Sequence, residues 1–226
     1  MNSPVYNMRP RQQSGIPDVV FILLIANGLL YAAERVWPNF ILFNFALWPL
    51  ESGRFQFWQL LTYGFFHDLS SLYHIGFNML GLWMFGRHVE PLMGPRRFII
   101  YYLVCVIGAG VIQIIVAATQ GGVYYTVGAS GGLMGILLAY ALAYPNQTIM
   151  LLFPPIPMKA KYFVLLFAVA SVDFGVRGSM GGVAHFAHLG GMRVGFMMLR
   201  YWSRARRRRE LGSGLRATVR GLGRAR

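Results

Sequence analysis

The sequence predicts an all-α membrane protein, a bundle of six transmembrane helices with a first loop that lies in the membrane interface. Three observations carry this expectation. Of 226 residues, 56% are hydrophobic and only 12% are charged, against about 25% charged in an average soluble domain. Apolar stretches recur at lengths near the about 20 residues that a helix needs to cross about 30 Å of hydrocarbon. Basic residues fall in every second connection, as the preference of Lys and Arg for the cytoplasmic side demands.

Taken in order, the spans are expected at about 19–36, 72–90, 97–118, 130–144, 160–174 and 184–202, within a membrane domain of residues 1–202, and 203–226 is expected as a basic, disordered cytoplasmic tail. Arg9 and Arg11 precede the first span, Arg96 and Arg97 separate the second from the third, Lys159 and Lys161 precede the fifth, and the arginine-rich tail follows the sixth. All four segments share one side of a six-span arrangement, so both termini are expected in the cytoplasm. The polar segment Met1–Pro17 carries no cleavage-type signal, and the first apolar stretch reads as a retained span. This short leader and six spans without a seventh suggest a bacterial inner membrane.

The two outer connections differ. Trp37–Ser70 is long and aromatic, including Trp48 and Trp58, and is expected to lie in the interface as amphipathic pieces. Thr119–Ala129 holds Gly121, Gly122, Tyr124, Tyr125 and Gly128 and no charge. The helix that follows it, Ser130–Tyr144, has 15 residues and rises only about 22 Å. Such a helix does not cross the hydrocarbon, so its start is expected below the outer surface, where irregular backbone survives only inside protein or beside a wet cavity.

The net charge of +14 is concentrated after the last span. No nucleic-acid partner is expected, because no aromatic residue follows Trp202 to stack on bases, and the charge points instead to anionic lipid headgroups. A single cysteine, Cys105, excludes a disulfide framework and a cysteine-rich metal site.

Chemistry is concentrated at the outer ends of three spans. Gly128-Ala129-Ser130-Gly131-Gly132 places a serine at a helix N-terminus, where free backbone N–H groups and the helix dipole favour an oxyanion. In the sixth span, His188 precedes Gly191 by one turn, and Gly191 with Gly195 forms a small-xxx-small seam for close helix approach. In the second, His74 and Asn78 are four apart and share a face. Together these are a nucleophile, a base and two oxyanion donors. No carboxylate is positioned to complete a triad, with Glu90 at the cytoplasmic end and Asp173 in a loop, so the site is expected to be a dyad.

At these residues the chain resembles the rhomboid family of intramembrane serine proteases. The resemblance covers nearly the whole chain: Trp58 to His67, His74 with Asn78, Glu90 with Gly94, Gly128 to Gly131, and Ala187 to Gly191. It implies a six-helix core with Ser130 as nucleophile, His188 as base, and His74, Asn78 and the Ser130 backbone N–H around the oxyanion. Substrates would be single-span membrane proteins, and no cofactor or metal is expected. The site would open toward the outer side.

Three residues depart from the family pattern. Gln59 stands where Arg is usual, which questions a contact of the first loop. Met134, one turn after Ser130, replaces an aromatic residue that often packs on the histidine, a place a thioether can fill. Arg193, between Gly191 and Gly195, is expected near mid-membrane and turned about 140° from His188. It would snorkel, pair with a buried acceptor, or reflect an altered sequence. His185 and His67, with His74, form no metal-type spacing with a carboxylate or thiolate, and His88 is at the other end. Two competing readings are an inactive relative that binds transmembrane helices and a small transporter. The oligomeric state is not read from the sequence.

Overall fold

The computed structural model describes residues 17–120, 124–150, 155–177 and 185–223. These residues are mostly helical. Helix α1 spans Asp18–Val36. Its first turn has N–H groups with no partner within the helix, and the carboxylate of Glu90 supplies one, accepting from Val19 N–H at 3.2 Å and Val20 N–H at 2.8 Å. A negative charge at this end also suits the helix dipole. Glu90 is therefore a tie between the first two predicted spans.

The first loop folds as α2 (Pro38–Phe45), a 3-10 turn at Leu50–Ser52, α3 (Gln59–Thr62) and a second 3-10 turn at Tyr63–Phe65. Gln59 is its hub. Fully buried, it accepts the N–H of Trp48 and of Gln56 at its amide oxygen, 3.3 and 3.2 Å, and donates to the carbonyls of Arg54 and Asn44 at 3.2 and 3.4 Å. Trp58 Nε1 donates to the same Asn44 carbonyl. An uncharged amide thus gathers the loop at the position where a guanidinium is usual.

The second predicted span is one rod made of α4 (Leu72–Gly81), a π-helical turn (Leu82–Gly86) and α5 (Arg87–Met93). The π turn was not foreseen. Its flanking glycines accept neighbours where a methyl would not fit: a Cβ on Gly81 would stand 2.9 Å from a Leu133 methyl, and one on Gly86 2.9 Å from a Val20 methyl. Gly94, with φ +79°, then reverses the chain into α6 (Pro95–Gln120).

Helix α7 (Ser130–Ala143) ends at Tyr144 before Pro145. The all-helical expectation needs one amendment here. Thr148–Met150 (β1) pairs antiparallel with Pro157–Lys159 (β2), Ile149 opposite Met158, because Pro145 ends the helix and the segment after it holds extended backbone. Helix α8 (Ala160–Arg177) carries Asp173, placed in a loop by the sequence reading, within its last turns. Helix α9 begins at His185 and stays helical to Gly223, past the expected boundary at 202. Its Arg, Leu and Ala residues are good helix formers.

The core lies where α6, α7 and α9 meet, with Phe98, Tyr101, Tyr102 and Cys105 of α6 and Ile136 of α7 fully buried. Outward faces are apolar too: Phe21, Ile22, Ile25 and Leu29 on α1 and Leu165, Leu166 and Val169 on α8 are exposed. Helices greasy on both sides suit a hydrocarbon surround better than water. Among the described residues, Asp18–Val36 and Pro95–Thr119 are long and apolar enough to cross a membrane by length and composition, and Ser130–Ala143 is a shorter apolar helix.

Candidate active site

The approach to Ser130 is held by the first loop. Leu47 and Thr126 exchange backbone hydrogen bonds as an isolated antiparallel bridge, 3.0 and 2.9 Å, and Gly128 N–H donates to the Tyr63 carbonyl at 3.0 Å. Tyr63 is itself buried and donates its hydroxyl to the Val106 carbonyl of α6 at 2.8 Å. Ser130 then opens α7, so its N–H and those after it belong to a first turn that the helix leaves without partners. Of the Gly-rich stretch, Gly121 and Gly122 lie outside the described residues.

Glycines bring α9 against this turn. A Cβ on Gly191 would collide with the carbonyl of Gly131, one on Gly195 would stand 2.5 Å from the Tyr101 hydroxyl, and one on Gly131 2.5 Å from the Ala109 methyl. With only hydrogen between the backbones, His188 reaches Ser130, and its Nε2 is 2.8 Å from Ser130 Oγ. Nδ1 of His188 is buried and has no hydrogen-bond partner among the described residues. The serine–histidine pair therefore stands without a third member among those residues.

Gly128 provides the third approach. Its φ of +135° suits glycine, and a Cβ there would stand 2.9 Å from His74 Nε2 and 3.7 Å from Ser130 Oγ. Imidazole and hydroxyl therefore border one small volume. Asp68 N–H donates to His74 Nδ1 at 3.1 Å, so the neutral ring carries its proton on Nε2. That N–H is directed to the Ser130 side. Asn78, 5% exposed, donates one amide proton to the His74 carbonyl at 2.8 Å, which leaves its second amide proton available.

Other candidates are placed as follows. Met134 is buried in the core, while a ring that flanks His188 is Phe167 of α8, centroids 6.5 Å apart. His185 meets His188 edge-on at 6.2 Å. Arg193 is exposed on α9 between buried Gly191 and Gly195, which removes the option of a buried acceptor. His67, 1% exposed, stands edge-on to His74 at 5.2 Å. Burial first, and then His74 beside it, push the His67 ring down to about 3, so it stays neutral and adds no competing cation.

Two residues that the sequence reading passed over belong to this picture. Phe167 lacks any polar signal. Glu34, near the end of α1, is 4% exposed and accepts the His67 N–H at 3.0 Å.

A family model described as Rhomboid domain matches residues 54–205. The chain is 31% identical over 135 residues to "Rhomboid protein 1, mitochondrial" of Saccharomyces cerevisiae, covering 59% of this chain and 39% of that protein. It is 30% identical over 211 residues to "RHOMBOID-like protein 12, mitochondrial" of Arabidopsis thaliana, covering 85% of this chain and 60% of that protein. The chain thus spans less than two thirds of the length of either relative.

Proposed function

Because the chain belongs to the rhomboid family, we propose that it is an intramembrane serine endopeptidase that cleaves single-span membrane proteins within or beside their transmembrane segment. The observation that carries this reading is the 2.8 Å contact between His188 Nε2 and Ser130 Oγ, the distance general-base activation requires. Six spans, formed by α1, the α4–α5 rod, α6, α7, α8 and α9, suit the chain. The basic connections favour the cytoplasmic side for both ends of this core, of a bacterial inner membrane in this reading, with anionic headgroups beside the arginines in the C-terminal part of α9.

In the reaction, His188 Nε2 takes the proton of Ser130 Oγ as the oxygen attacks the scissile carbonyl. The C–O bond forms, and the carbonyl π electrons become an oxyanion. In this reading Ser130 N–H, His74 Nε2–H and the second amide proton of Asn78 are the donors assigned to that developing charge. As the tetrahedral centre collapses, the C–N bond breaks and His188 gives its proton to the leaving amine. Water, activated by the same imidazole, then releases the acyl group and restores the serine.

The test is cleavage of a single-span reporter by the purified protein in liposomes. Ser130→Ala is expected to abolish cleavage while membrane insertion and thermal unfolding stay unchanged. A fluorophosphonate should label Ser130 in the wild type and fail in His188→Ala. Full cleavage by Ser130→Ala overturns the assignment, and a chain that is never labelled and never cleaves favours a helix-binding relative.

A further inference from the structure

A carboxylate buried in the last turn of a mainly apolar helix is costly and calls for a partner. Glu34 is such a group. The mechanism above does not use it, since its hydrogen bond goes to a backbone amide of the first loop and not to His188. That amide belongs to His67, and the amide of the very next residue, Asp68, is the one that donates to His74 Nδ1. Two consecutive N–H groups are thus held by two different helices, one by a carboxylate of α1 and one by an imidazole of α4. The loop beyond is folded back as well, with Asp68 Oδ1 accepting Ser70 N–H at 2.8 Å.

The arrangement has a chemical consequence. A neutral imidazole has two tautomers of similar energy, and only the one protonated on Nε2 offers a donor on the Ser130 side. The Asp68 N–H selects that tautomer by occupying Nδ1. An exposed loop amide is by itself a loose partner, but Glu34 fixes the peptide that carries it. The His67 ring supports the same geometry by packing, because both of its nitrogens are buried without a hydrogen-bond partner among the described residues and it meets His74 in a T-shaped contact.

We propose that Glu34 is a positioning residue for the oxyanion donor: by anchoring the His67 amide it keeps the Asp68 amide on His74 Nδ1, and so holds the His74 proton on Nε2, facing Ser130. This rests on the reading of His74 as an oxyanion donor. Glu34 touches no substrate atom, and its effect passes through one peptide unit and one imidazole.

Two readouts test it on the full chain. In reporter cleavage, Glu34→Leu is expected to lower kcat at least tenfold with KM within twofold. Glu34→Asp, which keeps the charge but withdraws the oxygens by one methylene, should lose kcat in the same sense. Glu34→Gln, which keeps an acceptor oxygen at full reach, should retain kcat within threefold. Separately, 15N-histidine NMR of Ser130→Ala protein, with the His74 signal identified by its loss in His74→Gln, should show the Nε2–H tautomer alone. Adding Glu34→Asp should produce a mixture. Glu34→Leu and Glu34→Asp that both keep wild-type kcat, or a His74 tautomer indifferent to Glu34→Asp, overturn the proposal. Should Glu34→Leu fail to fold, the Glu34→Asp and NMR arms decide it. A failure of the underlying reading looks different: Ser130→Ala or His74→Gln would then leave cleavage intact.

Discussion

At Gly128 two demands meet, a backbone at φ +135° and a missing side chain between His74 Nε2 and Ser130 Oγ. Gly128→Ala is therefore expected to cost at least about 100-fold in kcat, the loss typical of an oxyanion donor displaced from its place, as measured by reporter cleavage. His67 is separable from that chemistry through its proton. Its pKa in the folded protein, about 3, is below the about 6.5 of an unfolded chain. Below about pH 6.5 the unfolded state binds a proton that the folded ring refuses, so stability falls as pH drops. Between pH 7 and pH 5 this amounts to about 2 kcal/mol. His67→Phe removes that share, and thermal unfolding of the variant across this range should be flatter than that of the wild type by about this amount. Some residues could be read in advance and others could not. Ser130 and His188 stood out because a hydroxyl beside glycines and an imidazole in a span are rare and mutually explanatory. Glu34 did not, because its partner is 33 residues away and no local spacing announces it.

Among the elements, α9 depends on the absence of side chains where it crosses α7. Gly191→Ala places a methyl on the Gly131 carbonyl, so the helices must part and the 2.8 Å contact is lost. Cleavage should vanish and unfolding should occur at lower temperature. Gly76 of α4 is the control, since a Cβ there meets nothing within 4 Å among the described residues. Gly76→Ala should leave cleavage unchanged and alter stability by less than about 1 kcal/mol. The first loop hangs on one amide in a comparable way. Gln59→Ala removes four hydrogen bonds, leaving two N–H groups and the Arg54 carbonyl without this partner while the Asn44 carbonyl keeps Trp58 Nε1, and at about 0.5–1.5 kcal/mol net for each bond it should destabilise by about 2–6 kcal/mol in thermal unfolding. Helix starts followed from apolar run length, whereas the end of α9 did not, since that helix runs on through a polar, arginine-rich stretch to Gly223. The π turn at Leu82–Gly86 and the ribbon of β1 and β2 were not legible, since one depends on packing against Leu133 and Val20 and the other on three-residue pairings too short to leave a pattern.

Across the whole molecule, charge placement makes the broadest prediction. Reporter fusions to either end of residues 1–226 should both be cytoplasmic, and a fusion after Thr126 should face the other side, a result checked by alkaline phosphatase and green fluorescent protein activity. The mostly helical architecture was legible because apolar runs of near-membrane length have few other ways to satisfy their backbone. The contacts between distant segments were not, because Leu47 with Thr126 and Tyr63 with Gly128 are backbone pairings that side-chain identity does not specify. One of those long-range facts bears on how the protein is made. Ser130 and His188 are 58 residues apart in the chain, and synthesis proceeds at about 5–20 residues per second. For about 3–12 s on each ribosome Ser130 therefore exists without His188, so under the proposed function a nascent chain already seated in the bilayer beside other single spans would leave them intact until α9 arrives.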